Sequence, residues 1–303
     1  MNQIIRNGQH HKRRGFKKKN LNNPIFTDFS KNSYSSFLIC GTHERNADTI
    51  IVATIDYSRQ SINLISIPRD LYYRGRKINN YYLSFGGKRF AEIIGEITGL
   101  DIERYVIVDM YAFIDVVNIL GGIDITLEED LVDPTYKVRN NGVWSTLYYK
   151  KGNYHFNGIE TLRIARARHF TPVFSRDERQ QKIIESLLKK ISGLSVKNIN
   201  QIYDILKTVI LYLDTDMTLP EALNIIKDVK NIKKISKTVI STQNVLEQTY
   251  SSLLHLGLTE EDVDEDFDLG AWILIPKENN WSIIRSYIDE KLRGSSIKNE
   301  ILD

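Results

Sequence analysis

The chain has 303 residues, and its content of 42% hydrophobic and 26% charged residues is that of an ordinary globular protein. The net charge is +3, but the first twenty residues hold seven lysines and arginines and no acid, which leaves −4 for the rest. Non-specific nucleic-acid binding needs many cations acting together on phosphates. This charge distribution therefore argues against a nucleic-acid partner, and any phosphate site must be local.

Cysteine content and hydropathy limit the chain further. Cys40 is the only cysteine, so no disulfide can form within the chain. No segment approaches the roughly 18 consecutive apolar residues of a membrane-spanning helix. The basic stretch at 1–20 is followed by polar residues where a signal peptide would be apolar. We expect neither a transmembrane helix nor a signal peptide in this sequence.

The predicted elements alternate between strands and helices. Apolar runs predict strands at 37–40, 50–55, 61–67, 105–108, 123–127 and 271–275. Apolar residues at helical spacing predict helices at 89–97, 111–120 and 281–292. A further helix starts after Gly158, and another follows Ser175 as its N-cap. Two more helices lie within 196–229 and separate near Leu219 and Pro220, with core residues Leu206, Ile210, Leu211 and Leu213. This alternation indicates an α/β sandwich.

The domain organisation follows from the same patterns. Residues 1–30 are polar and basic without apolar periodicity, which is typical of a disordered arm. We predict one domain at 31–294 and a polar tail at 295–303, because the sequence shows no internal repeat and no low-complexity linker.

Three arginines lie near predicted element ends. Arg69 follows Pro68 at the end of a strand, where α/β sheets commonly bind ligands. Arg166 and Arg168 are separated by one residue, so both side chains lie on one face if 162–168 is extended. Two planar guanidinium groups would then point at one region.

Two further arginines stand at a predicted helix start. Arg176 and Arg179 follow closely along the chain, where free backbone N–H groups add affinity for anions. Arginine suits phosphate because it is permanently charged and binds through two parallel hydrogen bonds. The alternative is that these side chains form salt bridges on a solvated face, which is the commoner role of a single arginine. The grouping favours phosphate recognition.

Acidic and histidine residues near this group leave alternatives open. Asp48 stands at the entrance of the strand at 50–55, where it can either hydrogen-bond its loop or bind a hard cation such as Mg²⁺. On spacing alone the loop role is favoured. His43 is either a metal ligand or base, or an ordinary surface residue, and Asp70 can anchor its own loop. The phosphate-loop, zinc-protease and serine-hydrolase motifs are missing from the sequence.

Several short motifs occur in a fixed order over most of the chain. They are Phe37-Leu38-Ile39-Cys40-Gly41-Thr42, Asp48-Thr49-Ile50, Ser66-Ile67-Pro68-Arg69-Asp70, Lys77-Ile78-Asn79, Leu120-Gly121-Gly122-Ile123-Asp124, Arg166-Ala167-Arg168-His169 and Arg176-Asp177-Glu178-Arg179-Gln180-Gln181. In this order they resemble the LytR-CpsA-Psr family. The resemblance implies a three-layer α/β/α sandwich with a mixed central sheet and a hydrophobic tunnel for a polyprenyl chain, walled by the helices at 89–97 and 111–120.

The resemblance also implies an activity and its residues. Members transfer a glycopolymer from a polyprenyl-pyrophosphate carrier to a cell-wall acceptor, typically peptidoglycan, with Mg²⁺; pyrophosphatase activity is a further expectation. By position, the expected catalytic residues are Arg69, Asp48, Arg166 and Arg168, with Asp48 as the metal ligand. The expected substrate-binding residues are Arg69, Lys77, Arg166, Arg168, Arg176, Arg179 and Gln180. The protein is expected on the extracytoplasmic side of the membrane, in contact with its surface through the lipid substrate.

The sequence departs from the family pattern in two places. His43 stands where the family usually has an aspartate, and the usual Arg-Ser before Asp48 is missing, which weakens the expected Mg²⁺ site. The transmembrane helix that normally follows the basic start does not appear. These departures keep open a second hypothesis, a non-catalytic protein that binds polyprenyl phosphate or regulates the envelope. A nucleic-acid-binding regulator that uses the basic arm ranks last.

Overall fold

The computed structural model describes residues 34–44, 46–140, 142–167, 176–193, 199–264 and 266–297. Its strands are β1 (Tyr34–His43), β2 (Asn46–Asp56), β3 (Ser61–Ser66), β4 (Tyr72–Tyr73), β5 (Arg76–Lys77), β6 (Ile102–Asp109), β7 (Ile123–Leu127), β8 (Leu131–Asn140), β9 (Val143–Tyr149), β10 (Gly152–Phe156), β11 (Asp214–Thr215), β12 (Lys234–Val239), β13 (Leu246–Tyr250) and β14 (Trp272–Pro276). Its helices are α1 (Tyr81–Thr98), α2 (Met110–Ile119), α3 (Gly158–Arg166), α4 (Arg176–Ser192), α5 (Ile199–Ile210), α6 (Leu219–Lys230), α7 (Ser251–Leu256) and α8 (Trp281–Ile297). The predicted arm at 1–30 and the predicted N-cap Ser175 lie outside the described residues.

The central sheet is mixed, as predicted. Its order is β11–β6–β1–β2–β3–β12. Strand β2 runs antiparallel to both of its neighbours, while β6 is parallel to β1 and β12 is parallel to β3. Four strands therefore run in one direction, and their carboxyl ends share one edge of the sheet with the beginning of β2. Ligands commonly bind at such an edge.

Helices cover both faces of the sheet. On one face, α1 contributes Phe90, Ile94 and Ile97 to a core cluster that also contains Leu38 of β1 and Ile284 of α8. On the other face, side chains of β2 and β3 pack with residues of α4 and α6. These two layers and the sheet form the predicted α/β/α sandwich. The lipid tunnel stays a prediction, and the described part of the chain holds no helix that is long and apolar enough to cross a membrane.

A third cluster lies beside the sandwich. The short sheet of β7 and β10, the hairpin of β8 and β9, and helices α2 and α3 share a core of apolar side chains. The sequence did not predict the β8–β9 hairpin. Strand β8 contains a register shift between Asp133 and Lys137 that includes Pro134, and this irregularity breaks the alternation by which strands are identified.

Three predicted element boundaries and one predicted core residue differ from the structure. Helix α1 begins at Tyr81 rather than Arg89, across a kink at Gly86 with φ 77°. Leu219 and Pro220 begin α6 instead of separating two helices, because Thr218 is its N-cap and proline is well tolerated in a first turn. Leu211 is 67% exposed rather than core, because it follows the last residue of α5. Helix α8 continues to Ile297, past the predicted helix end at 292.

Gln181 fastens α4 to the sheet. This fully buried side chain places its Nε2 within 3.3 Å of the Leu64 carbonyl, 2.8 Å of the Ser66 hydroxyl and 2.9 Å of the Thr238 carbonyl. A single amide therefore joins the helix to both β3 and β12. Loss of this amide would leave buried carbonyl groups without their donor, which costs more than the loss of an exposed bond.

We expect Gln181→Ala to lower the free energy of unfolding by roughly 2–4 kcal/mol, from the lost hydrogen bonds and the cavity. Urea denaturation followed by circular dichroism measures the free energy of unfolding of the parent and the variant. The control is the next residue of the helix, because Lys182→Ala removes a partly exposed ion pair with Glu128 and should cost less than about 1 kcal/mol. Equal losses in the two variants would contradict the assigned role of Gln181.

His155 of β10 links two segments of the third cluster. Its Nδ1 lies 2.7 Å from an Asp124 carboxylate oxygen and its Nε2 lies 2.8 Å from the Gly121 carbonyl. The Asp124 contact, followed by the Gly121 contact, raises the pKa of His155 above its usual value, and Lys190 opposes the shift. Both ring nitrogens face acceptors, so the imidazolium is the form that satisfies both contacts.

A raised pKa gives the stability a definite dependence on pH. The stabilisation from charged His155 is fully present below the pKa of the unfolded chain, about 6.5, and is lost as the pH rises through the higher folded pKa. We therefore expect His155→Asn to lower the melting temperature more at pH 5.5 than at pH 8.5. Differential scanning calorimetry of both proteins tests this, and a larger loss at pH 8.5 would contradict it.

Candidate functional site

The candidate site lies at the edge where the carboxyl ends of β1, β3 and β6 meet the beginning of β2. Asp48 lies near the start of β2, and Arg69 follows the end of β3. Ile67 N–H donates to the Ile50 carbonyl, which holds the segment after β3 against β2. The strand directions therefore bring together two residues that are separated by about twenty positions in sequence.

A chain of alternating charges begins at Asp48. Arg69 Nη1 donates to Asp48 Oδ1, and Arg69 Nε lies 3.5 Å from an oxygen of Asp70. Lys77 Nζ lies 2.8 Å from the other oxygen of Asp70. The Asp48 and Arg69 side chains are 24% and 28% exposed. These groups are held in place and still face solvent, as a ligand site requires.

The backbone supports the loop that carries Arg69. Leu274 N–H donates to the Asp70 carbonyl and Asn79 N–H donates to the Arg69 carbonyl, both at 3.1 Å. Lys77 Nζ also lies 5.8 Å from the ring centre of Trp272 at the start of β14. Strand β14 and the segment after β5 thus fix the loop from two sides.

Arg176 joins the same group from α4. Its Nη2 donates to the backbone carbonyl of Asp48 at 2.6 Å. Arg176 is the first described residue of α4, so its cation lies at a helix N-terminus, the end that favours anions. Asp48 is therefore contacted by Arg69 through its side chain and by Arg176 through its backbone.

Arg166 approaches the edge from the far side. It ends α3, and its Nη1 lies 3.3 Å from the sulfur of Met110, the first residue of α2. The preceding residue, Asp109, ends β6 and caps α2 by accepting hydrogen bonds from Tyr111 N–H and Ala112 N–H, both at 2.8 Å.

Strand pairing gives the distance between the two sides. Asp109 lies opposite Thr42 of β1, and Thr42 lies opposite Ala47, the neighbour of Asp48. Two strand spacings of roughly 4.8 Å place the ends of β6 and β2 about 10 Å apart. The structure thus brings Arg69, Arg176 and Arg166 to one edge, on two sides of the β1 end.

The helix predicted after Gly158 is confirmed as α3, and it continues to Arg166, so the condition of an extended segment at 162–168 is not met. Residues 158–166 form α3, because Asn157 and Glu160 make a capping box and Gly158, Thr161 and Ile164 bury one helical face. Arg166 consequently reaches the site from a helix C-terminus rather than from a strand. Arg168 lies outside the described residues, so its predicted role stays a prediction.

Two residues predicted to bind substrate contact backbone carbonyl groups. Arg179 Nη2 donates to the Ala167 carbonyl, and Gln180 Nε2 lies 3.4 Å from the Ala165 carbonyl. Both residues are only 6% exposed. Burial lowers the pKa of Arg179, and the Asp133 charge opposes the shift. These contacts position the end of α3 that carries Arg166, and direct substrate binding by Arg179 or Gln180 stays a prediction.

The acids and His43 do not form a preformed metal cage. Among the residues that the structure describes, no three His, Cys, Asp or Glu side chains form a group that could hold a metal ion. His43 ends β1 and pairs with Asn46 across the hairpin. Asp48 remains a partly exposed oxygen donor, and one carboxylate together with substrate phosphates is a usual Mg²⁺ environment.

Cys40 lies behind the site without taking part in it. The side chain is fully buried in β1. Burial, and secondarily the negative charge of Asp48, raises the pKa of this thiol far above its usual range. The thiol therefore stays protonated and is a poor nucleophile.

Sequence reasoning missed the links between the predicted residues. Asp70 joins Arg69 to Lys77, and Met110 with its capping neighbour Asp109 supports Arg166. An Asp before a helix is a recognisable N-cap signal, so Asp109 could have been identified. Trp272 could not, because nothing in sequence places it beside Lys77.

The arrangement suits a ligand with several negative charges. Arg69 and Lys77 lie on one side, Arg166 on the other, and Arg176 lies at the start of α4. Permanent cations and a helix N-terminus favour phosphate. The cluster can therefore neutralise a diphosphate.

Comparison with known proteins finds similar chains. The chain is 30% identical over 223 residues to the polyisoprenyl-teichoic acid–peptidoglycan teichoic acid transferase TagV of Bacillus subtilis strain 168, covering 68% of this chain and 55% of that protein. It is 25% identical over 236 residues to the corresponding transferase TagU of Bacillus cereus strain AH820, covering 74% of each. The chain thus spans little more than half of the TagV relative.

Solved structures and a family model give the same assignment. The crystal structure of B. subtilis TagV superposes with a TM-score of 0.65 at 25% identity, covering 86% of this chain and 97% of that one. The LytR_cpsA_psr family model matches residues 3–265. With its mixed sheet and its arginines in the order of the motifs, the chain belongs to the LytR_cpsA_psr family.

Proposed function

We propose that this protein is a cell-envelope transferase that moves a glycopolymer from a polyprenyl-pyrophosphate carrier to a cell-wall acceptor such as peptidoglycan. The observation that supports it most is the convergence of Arg69, Arg176 and Arg166 at one sheet edge beside Asp48. Teichoic acid, named in the relatives, is one glycopolymer of this kind. Because the carrier is a lipid, the protein works at a membrane surface, which we place on the extracytoplasmic side.

The reaction requires positioning and charge neutralisation. An acceptor hydroxyl attacks the phosphorus that bears the glycan, and a new P–O bond forms as the bridging P–O bond breaks. The acceptor O–H bond also breaks, and its proton ends on the polyprenyl phosphate that is released. Negative charge grows on the leaving phosphate as that bond breaks. Arg69 and Arg176 stabilise this charge from one side of the β1 end and Arg166 from the other. The same cations would support hydrolysis of the carrier when water replaces the acceptor hydroxyl.

Asp48 has two roles in this proposal. Its Oδ1 holds Arg69, which keeps the guanidinium group in place at the sheet edge. Its partly exposed carboxylate is also the residue that would hold Mg²⁺, together with phosphate oxygens of the substrate. The bound cation would neutralise phosphate charge. Lys77 and, by position in the family motif, Arg168 complete the set that we propose to contact the substrate.

A second candidate function keeps the binding and drops the transfer. The engagement of Asp48 by Arg69 and the presence of His43 instead of an aspartate favour a protein that only binds polyprenyl phosphate or regulates the envelope. Lipid that copurifies with the protein, with no turnover at any Mg²⁺ concentration, would support this function. Turnover gained by His43→Asp would strengthen it.

Arg69→Ala should lower the rate of polyprenyl phosphate release from a lipid-pyrophosphate-linked glycan by about 10²–10³-fold, the usual cost of one transition-state donor. The rate of Arg69→Lys should lie between those of the parent and Arg69→Ala, because lysine keeps the positive charge but lacks the planar guanidinium group. The matched control is Arg89→Ala, since Arg89 pairs with Glu92 and Glu96 on the surface of α1. Full activity of Arg69→Ala would contradict the proposed function.

Asp48→Asn should raise the Mg²⁺ concentration needed for half-maximal turnover by about tenfold or more, because a neutral amide is a weaker ligand for a hard cation. Titration of the parent and the variant with MgCl₂ measures this. Asp124→Asn is the control, since Asp124 is exposed in the third cluster and contacts His155. An unchanged Mg²⁺ requirement in Asp48→Asn would exclude Asp48 as the metal ligand.

A further inference from the structure

The β8–β9 hairpin has two faces of opposite character. Leu131, Val138 and Leu147 point inward and are buried in the third cluster. The outward face of the hairpin holds Lys137, Arg139, Trp144, Thr146 and Tyr148, which we call the hairpin strip. Strand pairing places Arg139 opposite Trp144 and Lys137 opposite Thr146, so these four side chains share one side of the sheet.

The strip exposes aromatic surface that the fold does not use. Trp144 is 66% exposed and Tyr148 is 53% exposed. They stand four residues apart on β9, which is about 13 Å along a strand. A tryptophan normally contributes its large apolar area to a core or an interface. The position of these rings on the solvent side therefore indicates a ligand with flat apolar faces at intervals, such as a chain of sugars.

Neighbouring contacts hold both rings in place. The Arg139 guanidinium carbon lies 5.8 Å from the centre of the Trp144 ring, a cation–π distance, and Arg139 Nε donates to the Gly142 carbonyl at 3.1 Å. Tyr148 donates its hydroxyl to Asp130 at 2.9 Å. Rings that are already oriented lose little entropy when a ligand stacks on them.

The charge of the strip selects the kind of glycan. Lys137 and Arg139 are exposed cations, and none of the five side chains of the strip is acidic. The nearest acid in sequence, Asp133, is buried within β8. Before β8, Asp130 accepts from Tyr148, Glu128 pairs with Lys182, and Glu129 is exposed. Sugar-stacking rings beside two cations match a glycan that carries phosphate groups rather than a neutral one.

The hairpin begins beside the arginine site. Asp133 is buried at its base and its charge acts on Arg179. Arg179 lies one helical turn after Arg176, which contacts Asp48. From that base, the seven residues of β9 extend over about 20 Å. A polymer that leaves the proposed diphosphate position can therefore continue along the hairpin.

We infer that the hairpin strip binds the phosphate-bearing glycan chain of the donor as it extends from the carrier pyrophosphate. This inference rests on the proposed function, because it takes the donor polymer as the ligand. The strip makes no contact with the reacting groups. It would lower the KM for long polymers and leave the chemical step unchanged.

The test measures binding of a lipid-free teichoic acid chain, released from purified cell walls and freed of peptidoglycan, by isothermal titration calorimetry. Trp144→Ala should bind about tenfold more weakly than the parent, as expected for a truncated aromatic anchor. The double variant Lys137→Ala, Arg139→Ala should also bind more weakly and depend less on salt. The control is Val143→Ala, because Val143 is 68% exposed on the opposite face of β9, and its affinity should equal that of the parent.

Three results would overturn the inference. The first is that Trp144→Ala binds the teichoic acid chain with the same affinity as the parent. The second is that Trp144→Ala weakens binding of solubilised peptidoglycan and leaves binding of the teichoic acid chain unchanged. The third is that light scattering shows a dimer for the parent and a monomer for Trp144→Ala. The rate of transfer from a donor that carries only a disaccharide distinguishes failure of this inference from failure of the proposed function. Trp144→Ala should keep the parent rate there, whereas an inactive parent would contradict the transferase and leave the binding comparison intact.

Discussion

The ion pair between Asp48 and Arg69 is the contact on which the geometry of the site depends. It joins the beginning of β2 to the loop that follows β3, at the edge where parallel strands end. Arg176 contacts the backbone carbonyl of Asp48 and so ties α4 to the same point. Gln181, five residues further along α4, anchors that helix to β3 and β12. The position of the cations is therefore set by packing in the sandwich as well as by their own pairing.

Two classes of arginine occupy this region, and burial separates them. Arg69 and Arg166 have open sides that a ligand can reach, whereas Arg179 is buried against the end of α3. A buried guanidinium group that holds a backbone carbonyl fixes structure, and its desolvation is offset by that bond and by the Asp133 charge. The buried residue supports the helix end that carries Arg166 to the sheet edge.

Local sequence patterns predicted most of the sandwich but fewer contacts within the site. The strands around 37–40, 50–55 and 61–67 were correct because continuous apolar runs mark central strands. The helix predicted after Gly158 was correct, but residues 162–166 are not extended, because α3 continues to Arg166. The β8–β9 hairpin was missed because its irregular strand and exposed aromatic residues do not alternate cleanly. Pairings such as Asp70 with Lys77 depend on loop geometry that sequence spacing does not fix.

The exposure of the Asp48–Arg69 pair explains how a site can be ordered and still accept a substrate. Partly exposed ion pairs are worth about 0–1 kcal/mol, because water and salt screen them. Such a pair restrains the arginine at small energetic cost, and a diphosphate with several charges competes effectively for the same guanidinium group. A deeply buried pair would hold Arg69 more firmly but would oppose exchange, since separating it leaves an uncompensated charge. Intermediate burial is therefore the condition under which Asp48 can orient Arg69 and then release part of its contact to phosphate.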